Sequence, residues 1–478
     1  MRVLLVNPPY RIEEYYGRIS KLGFSFPPIG ILYLAAYIRQ FGHEVKSYDF
    51  QANEEKFFDL LQEYKPEVVG ITCQTALVYS TIHLAKQIKE RLKNCHIIVG
   101  GTHPSCRPLD LLSEEAIDVA VRGEGELTLL ELLEYLQGKR SIDNIDGITF
   151  KREGKFITNK DRALIKDINT LPIPAVDLLP LDKYHCSPDL RIGKKVMMLS
   201  TARGCPYQCA FCAMKESFNR TYRCRSTDMI FKEIDYYVKN YGADSLFIVD
   251  ELFTANRKRV FEFCDRMIKE GYSKNMKWWA QTRADCVDKE LLFKMKEAGC
   301  RMLSFGIESG VDRLLKNIKK NMTTKQNRLA VRTVRAVGID ARGSFILGLP
   351  GESFLDSIKT IIFGVSLPLH RLKFGLATPY PGTELWDIAL KEGQISEKED
   401  WNRFSMMAGY TSHEAPYIPR GRNSRELKAL QLFGNFVFFL KPSVIISILR
   451  YYISFGDVRG LILAFKEFIK ATFSLGKG

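Results

Sequence analysis

Short apolar segments alternate with longer helical patterns along this chain, and the alternation occurs in two separate runs. Strands that alternate with helices are typical of a parallel sheet with helices on its faces. The first run therefore predicts an α/β, doubly wound, Rossmann-like domain over residues 1–140, with ligands at the carboxyl ends of its strands. Its candidate strands are Arg2–Val6, Glu44–Tyr48, Glu67–Thr72, His96–Val99 and Asp118–Val121.

The second run begins at Val196 and predicts an incomplete (β/α)6 barrel of the TIM type over residues 191–385. Barrels of this kind place their chemistry at the carboxyl ends of the strands. Residues 141–190, with a charged hairpin-like piece and then a proline-containing stretch, are predicted to be a linker, and residues 386–478 a helical C-terminal region. The candidate barrel strands are Val196–Thr201, Ser245–Asp250, Lys277–Gln281, Arg301–Ile307, Gly343–Leu347 and Lys373–Ala377.

Composition agrees with a globular protein of several domains. The 478 residues allow about three domains, and 46% hydrophobic with 26% charged residues exclude a disordered, collagenous or multi-span membrane chain. The net charge of +15 suits anionic partners without choosing among them. No basic run with interleaved aromatic residues is present, so we do not expect nucleic acid as a partner. The first apolar run is too short for a signal peptide, and a cytoplasmic location is expected.

Three cysteines stand close together after the first predicted barrel strand. Cys205, Cys209 and Cys212 have the spacing C-x3-C-x2-C, and the total of 11 cysteines, an odd number, argues against a disulfide framework. Three thiolates on one loop can ligate three irons of a [4Fe–4S] cluster and leave the fourth iron open. The alternative is a zinc site that recruits Cys224 as a fourth ligand.

The cysteine motif, together with later segments at predicted strand ends, resembles the radical S-adenosylmethionine (SAM) superfamily over about residues 190–385. The resemblance implies that SAM binds the open iron and is cleaved to methionine and a 5′-deoxyadenosyl radical. It also places one aromatic residue near the adenine and charged residues near the amino and carboxylate groups of SAM. The segment that follows the second predicted barrel strand has Asp250-Glu251 where the usual form in the family is Gly-Gly-Glu. The SAM-binding residues implied in this way are Phe211, Asp250, Glu251, Arg283, Glu308 and Gly348.

Glycine-rich turns follow predicted strands of the first domain. Glycine lets backbone approach a large flat ligand closely. With the segment 26–49, the order of these turns resembles the cobalamin-binding domain found ahead of many radical SAM domains. The resemblance implies cobalamin as the ligand, and an ordinary nucleotide-binding α/β domain is the alternative. The candidate contacts are Thr72, Gly100, Gly101, Thr102, Gly123 and Glu124.

One departure from the cobalamin pattern concerns the lower ligand of cobalt. Domains that ligate cobalt with histidine use Asp-x-His-x-x-Gly, whereas this chain has Asp49-Phe50-Gln51 and no glycine at the last position. His43 and His103 remain as candidates, although His103 is better explained as a loop contact. The resemblance therefore implies a cobalamin without a protein histidine on cobalt, which eases access to the cobalt(I) needed for methyl transfer from SAM.

Together the two halves predict an enzyme that methylates an unactivated carbon of a small-molecule or lipid-like substrate. Phosphorus is a less favoured methyl acceptor. The first alternative is a non-methylating cyclase or rearrangement enzyme acting on a hydrophobic or tetrapyrrole-like substrate, similar to the anaerobic Mg-protoporphyrin ester cyclase and hopanoid enzymes. A non-catalytic cobalamin or redox sensor is the second alternative. The chemistry also calls for an electron donor such as flavodoxin or ferredoxin.

The C-terminal region is apolar and basic. Its apolar runs, Leu432–Leu440 and Val444–Leu449, are interrupted by Lys441-Pro442 and are shorter than the roughly 20 residues that span a bilayer. A helical cap on the barrel is one interpretation. The other is a basic amphipathic element that contacts the inner membrane surface peripherally or holds a hydrophobic substrate.

Overall fold

The first domain in the computed structural model is built on a seven-stranded sheet. The structure describes residues 1–10, 25–53, 55–184, 191–396 and 398–455. The sheet order is β2-β1-β3-β4-β5-β6-β7, and the first five strands are parallel. The strands are β1 (Arg2–Asn7), β2 (Glu44–Asp49), β3 (Val68–Thr72), β4 (His96–Gly100), β5 (Val119–Val121), β6 (Ile148–Arg152) and β7 (Lys155–Thr158).

The last two strands of this sheet come from the stretch expected to be a linker. β6 pairs antiparallel with β5, and β7 pairs antiparallel with β6, so the first sheet continues to Thr158. The guanidinium of Arg122 fixes the hairpin, because it donates to the carbonyl oxygens of Ile148 and Asn159, both at 2.7 Å. A sequence pattern cannot reveal this pairing, since β5 has only three residues and its partner strand lies beyond a helix.

Helices cover both faces of the sheet, as the strand–helix alternation predicts. The apolar faces of the strands are buried against them, with Val3, Leu5 and Ile98 on one side and Leu4, Val69 and Val99 on the other. The described helices of this domain are α1 (Ile29–Arg39), α2 (Phe57–Tyr64), α3 (Val78–Arg91), α4 (Thr102–Cys106), α5 (Leu109–Leu112) and α6 (Glu126–Leu136).

The second domain is the predicted open barrel. Six parallel strands follow the order β15-β14-β13-β12-β11-β8, and a separate two-stranded ribbon pairs β9 with β10. The expected fold class is thereby confirmed, with each predicted barrel strand found within a few residues of its place. The strands are β8 (Val196–Leu199), β9 (Ala202–Arg203), β10 (Arg223–Cys224), β11 (Ser245–Ile248), β12 (Lys277–Thr282), β13 (Cys300–Glu308), β14 (Asp340–Leu347) and β15 (Arg371–Leu376).

Alternate residues of the barrel strands pack against the outer helices and toward the lumen. Trp278, Leu303 and Phe345 are fully buried in the core shared with the helices. Polar caps define where several helices begin: Ser353, for example, forms a capping box with Asp356. The helices are α7 (Met214–Phe218), α8 (Thr227–Tyr241), α9 (Arg257–Lys269), α10 (Tyr272–Asn275), α11 (Lys289–Glu297), α12 (Asp312–Asn317), α13 (Thr324–Ala336), α14 (Phe354–Ser366) and α15 (Glu384–Lys391).

The C-terminal region adds α16 (Ser424–Phe439) and α17 (Pro442–Phe455). α16 packs against β15, the last strand of the open barrel, and hydrogen-bonds to its backbone. Asn435 accepts from the amide of Phe374 at 3.1 Å, and Gln431 donates to the carbonyl of the same residue at 2.9 Å. The amide of Leu376 donates to the carbonyl of Met406 at 2.9 Å. The predicted helical cap on the barrel is therefore present.

We also compared helix lengths with the thickness of a bilayer. Within the described part of the chain, no single helix combines the length and the apolar content needed to cross a membrane. The pair formed by α16 and the segment Pro442–Leu449 passes by length and composition when taken together, but it is bent by 70°.

Candidate active site at the facing sheet edges

The carboxyl edges of the two sheets face each other. Helix α4, which follows β4, contacts α7, which follows the cysteine loop. The buried ring of His103 on α4 packs edge-on against Trp401 with 4.7 Å between centroids. The end of β4 and the loop after the first barrel strand consequently lie close to each other.

Buried ion pairs hold the domains together beside the cysteine loop. Glu124 pairs through one oxygen with Arg203 at 2.8 Å and through the other with Arg223 at 2.8 Å. Glu126 pairs with Arg203 at 2.6 Å. Burial alone would raise the pKa of Glu124, but the hydrogen bonds from Arg223 and Arg203 hold it below its ordinary value. Glu124, expected to contact cobalamin, thus commits both oxygens to the barrel.

The cysteine loop starts from a turn that requires glycine. Gly204 has φ +88°, and a Cβ at this position would overlap the carbonyl oxygen of Thr221. The three thiols of Cys205, Cys209 and Cys212 are free and half-buried. Burial raises the pKa of the Cys212 thiol to about 11, so ligation of iron there displaces a proton.

A buried carboxylate supports this loop from below. Asp250, at the end of β11, accepts hydrogen bonds from the backbone amides of Thr201 and Ala202 at 2.6 and 3.0 Å. The guanidinium of Arg259 lies 3.4 Å away. Burial raises the pKa of Asp250 despite these partners. The side chain was expected to contact SAM, and the structure places it beneath the loop, where it positions the backbone that leads to Cys205.

The neighbouring Glu251 reaches the loop itself. Its carboxylate accepts from the amide of Gly204 at 3.1 Å, directly before Cys205. Burial raises the pKa of Glu251. Glu251 therefore lies next to the cysteine motif, whereas Asp250 lies beneath the loop that leads to it.

Arg283 lies against the second cysteine. Its guanidinium is 3.8 Å from Cys209 Sγ, and it stacks on the Tyr207 ring at 3.6 Å from the centroid. Asp285 holds it through two hydrogen bonds of 3.0 Å, and the carbonyl of Lys320 accepts a further one at 2.8 Å. Burial alone would lower the pKa of Arg283, but the hydrogen bonds and the charge of Asp285, with smaller contributions from Cys209 and Tyr207, raise it above its ordinary value. A fixed cation thus stands beside the cysteine loop.

A second charged pair lies at the end of β13. Glu308 has φ +67°, an uncommon conformation for a non-glycine residue, and its carboxylate pairs with Lys320 at 3.0 Å. The ammonium of Lys320 lies 6.0 Å from the centre of the Phe211 ring. Glu308 and Phe211, both implied as SAM contacts, are therefore linked by Lys320. Gly348, with φ +81°, faces Leu427 of α16, whose methyl groups would touch a Cβ at 3.4 Å.

The edge of the first sheet is made mainly of backbone. Gly101 has φ +115°, and a Cβ there would come within 2.7 Å of the carbonyl oxygen of Cys73. Ser105 joins two of the predicted turns, because its hydroxyl donates to the carbonyl of Gly101 at 2.7 Å and accepts from the amide of Gly123 at 3.0 Å. A Cβ at Gly123 would meet open space.

The remaining predicted contacts lie at the same edge. Thr72 ends β3 and is half-buried, Gly100 ends β4, and Thr102 starts α4 with its side chain exposed. Together with Gly101 and Gly123, they lie at the carboxyl edge of the first sheet.

Of the two histidines considered as cobalt ligands, His43 and His103, one lies at the carboxyl edge of the first sheet. His103 is the one at the carboxyl edge, and both ring nitrogens are engaged, with Thr75 at 3.3 Å and Asp110 at 3.2 Å. Burial lowers the pKa of His103. His43 precedes β2 and His96 begins β4, so both lie at the amino ends of the strands, away from the carboxyl edge. Gln51 is half-buried, and its backbone amide donates to the carboxylate of Asp49 at 3.0 Å.

We next considered whether the thiols suit a metal centre. Among the residues for which coordinates are described, no three His, Cys, Asp or Glu side chains converge as the ligands of one ion do. Each cysteine of a [4Fe–4S] cluster binds a different iron, so its sulfur atoms stand apart. Three free thiols on one loop, with a fixed guanidinium beside Cys209, therefore fit a cluster better than a single ion.

Several residues of this site were missed by sequence reasoning. Lys320 and Tyr207 complete the charged surroundings of the cysteine loop, and Arg203, Arg223 and Glu126 join the domains. Tyr207 has a local signal, since it lies within the cysteine motif. The ion pairs have none, because their partners are separated by about 80 to 100 residues.

Comparison with known proteins agrees with this geometry. A B12 binding domain model matches residues 17–133, and a Radical SAM superfamily model matches residues 199–362. An uncharacterized methyltransferase of Pyrococcus horikoshii is 34% identical to this chain over 94% of each protein. The chain belongs to the cobalamin-binding radical SAM family. Family membership decides for a [4Fe–4S] cluster over zinc and for an enzyme over a sensor, with cobalamin and SAM as the further cofactors.

This cobalamin-binding radical SAM enzyme is also similar to a cyclase and to a protein of known structure. An anaerobic magnesium-protoporphyrin IX monomethyl ester cyclase of Cereibacter sphaeroides is 27% identical over 84% of this chain and 66% of its own. The solved structure of the cobalamin-dependent S-adenosylmethionine radical enzyme OxsB, with aqua-cobalamin and S-adenosylmethionine bound, superposes with a TM-score of 0.75 at 18% identity. It covers 97% of this chain and 72% of OxsB, and at that identity it shows the shared fold.

Proposed function

We propose that this enzyme methylates an unactivated carbon of a small-molecule or lipid-like substrate. The observation that carries the proposal is the arrangement of the two edges: a glycine-lined edge of the B12-type sheet faces the cysteine loop of the barrel. A methyl donor and a hydrogen-abstracting centre can then address one substrate from opposite sides. The methyltransferase of Pyrococcus horikoshii, matched over 94% of both chains, supports methylation as the outcome.

The residues of the chain position and shield this chemistry. When bound, the cluster with SAM supplies hydrogen abstraction, and cobalamin supplies a transferable methyl group. Cys205, Cys209 and Cys212 would hold three irons, and Arg283 keeps a positive charge beside the second thiolate. Glu308 and Lys320 offer a charged pair for the amino and carboxylate groups of SAM. We propose that Phe211 and Glu251 also contact SAM. At the first-domain edge, we propose that cobalamin is contacted by Thr72, Gly100, Gly101, Thr102 and Gly123.

The experiment is an anaerobic assay of the protein reconstituted with iron, sulfide and cobalamin. SAM and a strong reductant are added, and 5′-deoxyadenosine and S-adenosylhomocysteine are quantified with and without cobalamin. Methylation predicts both products, with S-adenosylhomocysteine formed only when cobalamin is present. The matched control is the Cys95→Ala variant, which removes a buried cysteine of the first domain and should leave both products unchanged.

Cyclisation or rearrangement is the second candidate, because the Cereibacter sphaeroides relative is a cyclase. The same assay separates the two. Formation of 5′-deoxyadenosine without any S-adenosylhomocysteine would overturn methylation and favour ring chemistry on a hydrophobic or tetrapyrrole-like substrate.

We further propose that the enzyme lies in the cytoplasm, receives electrons from a flavodoxin- or ferredoxin-like donor and contacts the inner membrane surface through α16 and α17. Phe433 on α16, Leu440 directly after α16 and Ile453 on α17 are exposed, at 52%, 52% and 72%. Basic side chains outnumber acidic ones in this segment, which suits anionic lipid headgroups. Flotation with vesicles containing anionic lipid tests the contact: a Phe433→Ser/Ile453→Ser variant should float less, and equal flotation with purely neutral vesicles would contradict the electrostatic part.

A further inference from the structure

Exposed apolar side chains are concentrated on one flank of the barrel. Fifteen large hydrophobic side chains are exposed in the described part of the chain. Ten of them belong to α13, α14, α16 and α17, counting Leu440 directly after α16. Helices α8 and α9, which cover the other end of the barrel sheet and are described throughout, carry none. A contiguous exposed apolar patch marks a site that contacts a membrane or another protein.

The helices of this flank lie side by side. The guanidinium of Arg328 on α13 donates to the hydroxyl of Ser366 at the end of α14 at 3.3 Å. Helix α14 packs in turn against α16. Lys441, between α16 and α17, donates to the carbonyls of Val365 and Leu367 at 2.6 and 2.9 Å. The outer faces of these helices therefore form one continuous surface.

On α14 the outer face is apolar with one cation. Leu355 and Ile362 are seven residues apart, which places them on the same face of the helix, and they are exposed at 66% and 63%. Lys359 lies between them and is exposed as well. The inner face is buried in the core through Ile361 and Phe363. The outer face of α14 thus presents apolar side chains on both sides of a positive charge.

Helix α13 combines the same two kinds of side chain in the opposite proportion. Leu329 is exposed, and the exposed cations Lys325 and Arg332 lie four residues before it and three residues after it, on the same helix face. We call six residues of the two helices the flank surface: Lys325, Leu329, Arg332, Leu355, Lys359 and Ile362.

Few carboxylates are available to neutralise the cations of this flank. Its four helices contain eight Lys or Arg and two Asp or Glu. Both acids are paired with arginines, Asp356 with Arg313 at 2.7 Å and Glu426 with Arg422. The three cations of the flank surface lie in no ion pair among the described residues. The flank is therefore apolar and positively charged at the same time.

This combination favours a lipid surface over a protein partner. Anionic headgroups attract Lys and Arg, and the acyl boundary accepts leucine and isoleucine side chains. In a symmetric contact with a second copy of the chain, the cations of one copy would face those of the other, which is unfavourable. Helix α16 with Pro442–Leu449 also has the apolar content of a membrane segment, although it is bent by 70°.

We propose that the flank surface binds an anionic membrane, so that α13 and α14 of the barrel contact lipid alongside α16 and α17. This inference rests on the membrane contact proposed for the two C-terminal helices and extends it to the barrel. Because the outer helices of a barrel run along its strands, a protein bound through this flank lies with its strands along the membrane plane. Helix α16, which packs on β15, then lies between the last barrel strand and the lipid.

The test measures binding to vesicles of defined composition. Full-length protein, reconstituted with cluster and cobalamin, is mixed with phosphatidylcholine vesicles that contain phosphatidylglycerol or lack it, and flotation gives the partition coefficient. No SAM is added, so the result does not depend on which reaction the enzyme catalyses.

We expect Leu355→Ser/Ile362→Ser to bind the anionic vesicles roughly tenfold more weakly, because two apolar side chains leave the acyl boundary. Lys325→Gln/Arg332→Gln should weaken binding to the same vesicles by about fivefold for each cation and leave binding to neutral vesicles unchanged. All four side chains are exposed, so both variants should fold.

The matched controls lie on other helices of the barrel. Lys258→Gln/Lys269→Gln removes two exposed cations from α9, and Phe293→Ser removes an exposed apolar side chain from α11. Neither control should change the partition coefficient. An equal loss in either one would overturn the proposal, because the effect would then follow from total charge or total hydrophobicity.

The remaining outcomes separate this inference from the contact proposed for α16 and α17. Unchanged binding in both flank variants, while Phe433→Ser/Ile453→Ser floats less, would confine the contact to the C-terminal helices. Absence of flotation by the unaltered protein would overturn both proposals and leave the flank to an acidic protein partner. Sedimentation velocity without lipid examines a second copy: a dimer that Leu355→Ser/Ile362→Ser converts to monomers, with flotation unchanged, would assign the flank to self-association.

Discussion

The carboxyl edge of the first sheet is built from backbone, whereas the carboxyl edge of the barrel is built from charged side chains. Gly123 borders open space at the first edge, and the missing Cβ of Gly101 lets the carbonyl of Cys73 approach the main chain. The barrel edge surrounds its cysteines with Arg283 and the Glu308–Lys320 pair, which are held by other ionised groups. We propose that the first edge accommodates a cofactor by shape, whereas the barrel edge fixes charge around the cysteine thiols. Substitutions should accordingly act through sterics in the first and through electrostatics in the second.

The largest effect is expected for the cysteine loop. A Cys205→Ala/Cys209→Ala/Cys212→Ala variant removes every thiol of the motif, and it should show no iron–sulfur absorbance after reconstitution and no 5′-deoxyadenosine. Cobalamin should still bind, because the first edge does not use these thiols. Iron and sulfide contents equal to those of the unaltered protein would contradict the assignment.

Removing the fixed cation comes next. Arg283→Met keeps length but loses the charge beside Cys209, and we expect 5′-deoxyadenosine formation to fall by about 10²- to 10³-fold, as when a preorganised charge is deleted. Arg257→Met is the control, since that guanidinium is likewise held by carboxylates, those of Asp288 and Glu290, but is exposed on α9. A similar loss in both variants would mean that the effect is not specific to the barrel edge.

A smaller effect is expected when the buried ion pairs that join the two domains are broken. Glu124→Gln leaves the buried guanidinium of Arg223 without its counter-charge and Arg203 with Glu126 alone, at a cost of about 3 kcal/mol in the free energy of unfolding. Denaturant titration measures it, and cobalamin should be retained less well in gel filtration. Glu134→Gln, in an ion pair on the same domain that is a third exposed, is the control and should cost under about 1 kcal/mol. If the two variants are equally stable, the pairs do not hold the domains together.

The smallest effect is expected for glycine substitutions at the edge of the first sheet, where a new side chain acts through sterics. Gly101→Ala introduces a Cβ against the Cys73 carbonyl in a backbone conformation that side chains avoid, and should cost about 2 kcal/mol and weaken cobalamin binding. Gly138→Ala also has a positive φ but meets open space, so it should cost only about 1 kcal/mol and leave cobalamin bound. Thermal unfolding of the two variants distinguishes steric contact from backbone strain.

Much of the fold was predictable because its signals are local. Strand–helix alternation predicted both sheets, and the cysteine spacing with the order of later segments predicted the cofactors. The partners of Glu124 and Asp250 were not predictable, because a carboxylate that follows a strand has the same sequence pattern whether it faces a ligand or a distant arginine. The β6–β7 hairpin was recognised as a hairpin, but its pairing with β5 depends on contacts of Arg122 across the chain.

An open barrel leaves a final strand with one row of backbone groups unsatisfied, and such an edge is a template for pairing with another molecule. In this protein Asn435 and Gln431 of α16 satisfy the amide and the carbonyl of Phe374 within that row on β15, so side-chain amides replace a partner strand at this residue. Their geometry matches because a carboxamide carries the same donor and acceptor as a peptide group. A chain that ended before α16 would expose this row, and its first failure would be self-association rather than loss of chemistry.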